Sequence, residues 1–405
     1  MSGAIPDSLN EQLGHQLSQV VGFIYPNEVE TQWAILIVVY PYLTGIVAGA
    51  FILASLVKVF NVVEVQPIYR LALLTALAFM LVAGMPLQLH LGHPERAYEI
   101  FFTPQPTSAM AMFGFVYLWY LLGILLIEIW FEYRQQLVLM AQRSRGLMKG
   151  LYGALSLFSK DLSPAAIEFD HKASKFITII GIPSAFLLHG YVGFIFGSIK
   201  ANPWWSTPLM PIVFLFSAIV SGIALVMLMY VRFSWLRGAA TDIRCLDTIA
   251  RYLFYAFIID FSLEMLDLLH RVYEADESFK SLDFMVRTQL FTSQIVIQIF
   301  LGTLLPLGLL ALTQLLKLTD AARKGLYVTS GVLTLVGIFA MRWNVVIGGQ
   351  LFSKSFLGYT VYKMGFATRE GLLPAIILLI LPFVFLWVLI RLLPPWEDAK
   401  SAAAR

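Results

Sequence analysis

Residues 46–60 read "IVAGAFILASLVKVF", with a single charge, Lys58, near the end. They close a stretch, residues 33–57, that carries no charge at all. A helix rises about 1.5 Å per residue and needs roughly 20 apolar residues to cross the hydrocarbon core of a bilayer. The stretch therefore predicts a membrane span. A related stretch, "IVSGIALVMLMYVRF", occupies residues 219–233. Both pair a small residue with glycine near mid-helix, and both end on a basic residue, Lys58 or Arg232. Two such spans running in the same direction predict two parallel units, related by an axis along the membrane normal. Gly45, Gly49 and Gly222 would let helices approach closely.

The rest of the chain fits that frame. Of 405 residues, 59% are hydrophobic and only 13% charged, about half the charge of an ordinary soluble domain. Nine segments reach span length: 33–57, 71–91, 107–131, 174–199, 207–232, 246–271, 288–313, 324–345 and 371–393. Residues 346–366 are a weaker tenth, where Lys354 and the glycines favour an interfacial or re-entrant piece. The expected fold is an all-α integral membrane protein with nine, possibly ten, transmembrane helices. Residues 1–32 form an N-terminal outer segment, 33–199 a first four-helix bundle and 200–345 a second. Residues 346–405 hold the interfacial segment, the last span and a tail. The interior loop 132–173 is partly amphipathic and reads as a helix lying on the membrane surface.

Charge orients the chain. Of 28 Lys and Arg residues, 19 fall on one side of the nine-span layout and nine on the other. Positive charge stays inside, so the N-terminus is expected outside and the C-terminus in the cytoplasm. The net charge of +3 and the lack of a basic patch give no reason to expect nucleic acid. Cys245 is the only cysteine, so the chain has neither an internal disulfide nor the four thiolates of an iron–sulfur cluster.

The sixth segment is the exception to apolarity. Asp260, Glu264, Asp267 and His270 lie on one helical face about 120° wide and climb about 15 Å toward the outer surface. An unpartnered charge near the bilayer centre costs at least ~2.5–3.5 kcal/mol. Carboxyls that hold or share protons in such a file are suited to moving protons outward. The structural alternative is a polar network that only pins helices together. Other polar groups fall in the same leaflet: His90, His93 and Glu95 at the end of the second segment, His189 and Tyr191 in the fourth, Arg342 and Asn344 in the eighth. The convergence suggests a polar-headed substrate that enters from lipid. A bis-His haem needs opposed histidines at matching depth, and these crowd one leaflet, so haem is not expected. His90, His93 and Glu95 with Pro94 between them do not make a convincing metal site. Glu128, near the inner end of the third segment, reads either as part of a proton path or as an ordinary helix-end residue.

The order and spacing of four further stretches carry a resemblance. They are "YPYLTGIVAGAFILASL" (40–56), "LQLHLGHPERAYEIFFTPQPTSAMAMFGF" (87–115), "GIPSAFLLHGYVGFIFGSIKANPWWSTPLMPIVFLFSAIVSG" (181–222) and "RWNVVIGGQ" (342–350). Together they resemble the NrfD/polysulfide-reductase (PsrC-like) membrane-subunit family, over about residues 33–393. "FIYPNEVETQW" (23–33) and the longer helix set look most like its DsrP branch, from the DsrMKJOP complexes of dissimilatory sulfur metabolism. In several relatives the "HLGHPER" region is "LGRP"-like, and His93 departs from that pattern.

The resemblance implies a subunit of the bacterial or archaeal cytoplasmic membrane that exchanges electrons with menaquinone or ubiquinone. It implies no iron–sulfur cluster in this chain. It also implies a periplasmic ferredoxin-like multi-cluster iron–sulfur partner, with other membrane and cytochrome subunits of a Dsr-type complex. His90, His93, Glu95, His189 and Tyr191 are then the candidate quinone contacts. Asp260, Glu264, Asp267, His270, Arg342 and Asn344 are the candidate proton path. The competing reading is a proton-translocating subunit, or a passive anchor, without a quinone site of its own.

Overall fold

Long apolar segments satisfy their own backbone hydrogen bonds only as helices when water is absent, and helices are what these segments form. The computed structural model describes residues 30–103, 105, 107–273, 279–351 and 360–396. The N-terminal segment up to residue 29, the middle of the weaker tenth segment (352–359) and the C-terminal tail from residue 397 lie outside the described residues. In chain order the long helices are α1 (Ile35–Lys58), α2 (Val63–His90), α3 (Ala111–Arg143), α4 (Pro164–Gly197), α5 (Met210–Leu236), α6 (Ile243–Tyr273), α7 (Phe291–Leu315), α8 (Asp320–Gly348) and α9 (Leu372–Leu392). Eight of them are long and apolar enough to cross a membrane, and the chain is a multi-pass membrane protein. The other, α6, is 31 residues long and carries the acidic stripe, which lowers its hydropathy.

Packing follows the internal repeat. Helix α1 packs on α2 and α4, and α3 packs on α4 and touches α2. Helix α5 packs on α6 and α8, and α7 packs on α8 and α6. The two groups meet chiefly through α1 and α5, the pair that carries the related stretches, while α9 lies against α2. Between membrane helices there is no hydrophobic drive, so close van der Waals contact of small residues does the work. At the α1–α5 contact, a Cβ on Gly49 would stand 2.1 Å from the Ala218 carbonyl oxygen. One on Gly222 would stand 2.4 Å from the Ala50 nitrogen. Gly45 faces Ala218 and Gly49 faces Gly222, so α1 and α5 run in the same direction. Gly302 of α7 and Gly337 of α8 make a second close crossing.

Two helices run further than hydropathy predicts. Helix α3 continues to Arg143 and α4 begins at Pro164, so the interior connection shrinks to 144–163. The predicted ends fell where charges begin, but those charges are paired. Glu132 bonds Lys58 (2.7 Å) and Arg70 (2.8 Å), and Arg134 of α3 holds Asp170 of α4 at 2.7 Å. Inside the connection, the helix Gly146–Leu155 buries Tyr152 and turns Leu147, Met148 and Leu151 outward.

Candidate functional site

Helix α6 turns its stripe toward α5, α7 and α8. Asp260 is 3% exposed, and its Oδ1 has no hydrogen-bond partner among the described residues. One turn on, Glu264 accepts two long hydrogen bonds from the Gln298 Nε2 of α7, at 3.4 and 3.5 Å. Gln298 Oε1 in turn accepts from Asn344 Nδ2 of α8 at 2.8 Å. Asp267 accepts from the Thr207 hydroxyl at 2.5 Å. His270, at the top of the stripe, is exposed.

Arg342 ties this group to the first half of the molecule. It is fully buried. Its Nη2 donates to Ser217 Oγ (2.6 Å) and meets His189 Nε2 at 3.0 Å, and its guanidinium lies over the Phe214 ring at 4.1 Å. Asp260 and Glu264 are the carboxyls whose charge it feels. Since guanidinium can only donate, His189 Nε2 must accept. The imidazole is then neutral with its proton on Nδ1, which donates to Thr44 Oγ1 at 3.3 Å. Thr44 passes its own proton to the Tyr40 carbonyl at 3.1 Å, which completes a consistent chain.

A cavity of about 320 Å³ opens beside the stripe. Its polar lining is Trp204, Thr207, Glu264, Asp267, Asp283, Gln294, Gln298 and Asn344. Met210, Val213, Met265, Leu268, Ile295, Ile299, Met341 and Val345 supply much of the apolar wall. An apolar pocket with a few convergent polar groups is the usual form of a small-molecule site. Two wall segments are π-helical, Phe291–Leu304 in α7 and Asn344–Gly348 in α8. Such windings recur at functional sites. Two buried atoms of residues that line the cavity lack partners among the described residues, Gln294 Oε1 and Asn344 Oδ1, as does Asp260 Oδ1 one turn below Glu264. An unsatisfied buried polar group costs about 1–3 kcal/mol, so the arrangement is suited to receiving a polar guest.

The proposed proton-path residues thus come together, apart from His270 at the exposed end. The five proposed quinone contacts do not. His90 Nδ1 bonds Glu370 at 2.9 Å, at the C-terminal end of α2. His93 and Glu95 pair with each other at 3.0 Å in the loop beyond, with side chains 74% and 65% exposed. His189 sits under Arg342, and the Tyr191 hydroxyl is buried without a partner among the described residues. None of the five lines the cavity. The residues that sequence reading passed over are Thr44, Thr207, Ser217, Gln294 and Gln298. Only the glutamines left a signal, two amides one helical turn apart in an otherwise apolar segment.

Known proteins share this sequence pattern. The family model described as "Polysulphide reductase, NrfD" matches residues 26–354. A selenate reductase subunit of Mesobacillus selenatarsenatis is 34% identical over 328 residues, which span 78% of this chain and 74% of that protein. Protein NrfD of Escherichia coli (strain K12) is 27% identical over 199 residues, 48% of this chain and 58% of that protein.

Proposed function

This chain belongs to the NrfD family, and from that premise we propose that it is the quinone-linked membrane subunit of a reductase-type respiratory complex. It exchanges electrons between the quinone pool and a peripheral iron–sulfur subunit on the outer face. The reading takes α6 as a ninth crossing, α1–α4 and α5–α8 as two parallel four-helix bundles, and the Lys/Arg-rich side as cytoplasmic. A Dsr-type complex of sulfur metabolism is the finer assignment, and it rests on the N-terminal "FIYPNEVETQW" and the longer helix set.

The observation that carries the proposal is the cavity beside Glu264, Gln298 and Asn344, with two unpartnered polar atoms in its wall. A passive anchor gains nothing from such a costly arrangement. The cavity offers a quinone head what it needs: flat apolar walls and amides that orient ring oxygens. A carboxyl that can give or take a proton completes the set. Bound quinol supplies two electrons and two protons. The residues of this chain do the rest. Gln298 and Asn344 hold the head in register, and Gln298 also fixes the Glu264 carboxyl that faces it. Glu264 takes or gives the proton at its carboxyl oxygen. Asp267, one turn outward and held by Thr207, relays toward the exposed His270. Buried Arg342 balances the carboxyl charge while its bond to His189 keeps it out of the cavity.

Placing the head here separates it from His90, His93 and Glu95, which suit the outer docking surface better. The test is titration of the purified complex with a quinone analogue. Met265→Trp, which fills the cavity, should abolish binding, and His93→Ala should leave it intact. Unchanged binding in the tryptophan variant would place the head elsewhere.

A further inference from the structure

A second buried carboxyl lies in the other group of helices, near the opposite end of the molecule. Glu128 of α3 is fully buried, in a segment that directly follows the π-helical turn Trp119–Leu125. Its Oε1 accepts from the Thr178 hydroxyl of α4 at 2.8 Å and from the Tyr69 hydroxyl of α2 at 3.3 Å. Its Oε2 has no partner among the described residues. The Tyr120 hydroxyl, in the π turn, and Ser174 Oγ, one turn from Thr178, are also buried and unpartnered there. No cation among the described residues bonds this carboxyl directly, since Lys58 is engaged by Glu132.

The neighbours of Glu128 lead toward the basic end. One turn along α3, Glu132 bridges Lys58 of α1 and Arg70 of α2, and Arg70 Nη1 also donates to Gln136 Oε1 at 3.1 Å. These side chains are 9–16% exposed, so this cluster, unlike Glu128, touches the surface. Every helix of the group contributes: Lys58 from α1, Tyr69 and Arg70 from α2, Tyr120 and Glu132 from α3, Ser174 and Thr178 from α4. Toward the Arg342 end the path closes, because Phe51, Ile124 and Gly181 pack tightly at the next level. Among the described residues the polar groups around Glu128 continue only toward Glu132.

We propose that Glu128 is a proton-binding site loaded from the cytoplasmic face through the Lys58–Glu132–Arg70 cluster, separate from the quinone cavity. A buried carboxyl with hydroxyl partners and no bonded cation is stable when it holds a proton on the free oxygen. Tyr69 and Thr178 then satisfy the other oxygen. Proton exchange needs only a brief opening of the Glu132 ion pairs, which lie one turn, about 6 Å, from Glu128. The sidedness of this site rests on the Lys/Arg-rich side being cytoplasmic; the site is otherwise independent of the quinone reading.

The experiment uses the intact complex in inverted membrane vesicles, treated with a hydrophobic carbodiimide, which modifies protonated carboxyls, and mapped by mass spectrometry. Glu128 should be modified, with a yield that falls as pH rises and does not change with sodium concentration. Glu132 and Asp170, held by cations, should be spared. Protection by sodium would make Glu128 part of a cation site and overturn the proposal, and so would an unmodified Glu128 in a sample where Asp260 or Glu264 reacts. In infrared spectra of the same vesicles, Glu128→Gln should remove one protonated-carboxyl band, whose exchange with deuterium enters from the cytoplasmic side. Electron transfer to a quinone analogue should be retained. Glu128→Asp, which keeps a carboxyl, should restore the band. Loss of quinone-linked electron flow in the wild type would instead count against the quinone reading, while the labelling at Glu128 would still report on this site.

Discussion

Arg342 and Glu264 show how single residues divide the work. Arg342 has no carboxylate within ion-pair distance among the described residues, yet it is entirely buried. Its partners are a neutral imidazole, a hydroxyl, a carbonyl and a ring face, which spread the charge without cancelling it. That leaves a net positive field over the carboxyls of α6. Replacing Arg342 with Met keeps the volume but leaves Asp260 and Glu264 without a countercharge. Removing one member of a buried charged set costs about 3–5 kcal/mol, so Arg342→Met should lower the thermal midpoint in detergent and weaken assembly. Glu264 is different because it is half-buried at the cavity wall. Glu264→Gln keeps shape and hydrogen bonding but cannot give or take a proton. The expected outcome is a fall in quinone turnover of about 10²-fold or more, with analogue affinity and thermal midpoint little changed. An equal loss of affinity and turnover would mean that Glu264 serves binding alone.

At the level of elements, the chain's depth profile was readable and its lateral arrangement was not. Depth follows from a fixed rise per residue, so the single-face stripe of α6 could be read directly. Which groups touch depends on helix rotation and packing, which small residues on distant helices decide. Hence His189 and Arg342, 153 positions apart, meet, while His93 and His189, in the same leaflet, do not. Helix ends were misplaced for a related reason. Charge was read as an exit from the membrane, whereas Arg134–Asp170 and the Glu132 pairs let α3 and α4 continue. The small-residue stretches of α1 and α5 were legible as places of close approach, while their meeting each other is what packing adds. It also gives a direct test. Gly49→Leu places a side chain where the Ala218 carbonyl already stands within 2.1 Å of the first added carbon. Overpacking of this kind costs about 1–3 kcal/mol or more, because backbone rather than a flexible side chain must move. Gly92→Leu, with open space around it, should leave the thermal midpoint unchanged.

For the molecule as a whole, the repeat assigns different tasks to two similar groups of helices. A parallel repeat puts equivalent ends of both groups on the same side of the membrane. The cavity lies among α5–α8 and the Glu128 site among α1–α4, at what the proposed orientation makes the outer and inner ends. Helices α1, α5 and α8 join them, with His189 and Arg342 at the seam. This layout has meaning only if the basic side is cytoplasmic. Orientation can be read with single cysteines, because the native Cys245 is fully buried and leaves little background. Lys149→Cys lies on the exposed face of the helix Gly146–Leu155, and Glu95→Cys lies in the exposed loop after α2. In right-side-out vesicles a membrane-impermeant maleimide should label the position-95 variant and spare the position-149 variant, and inverted vesicles should reverse the pattern. The opposite result would move the cavity to the cytoplasmic side. An outer iron–sulfur partner could not then receive its electrons, and Glu128 would face the wrong compartment for proton uptake.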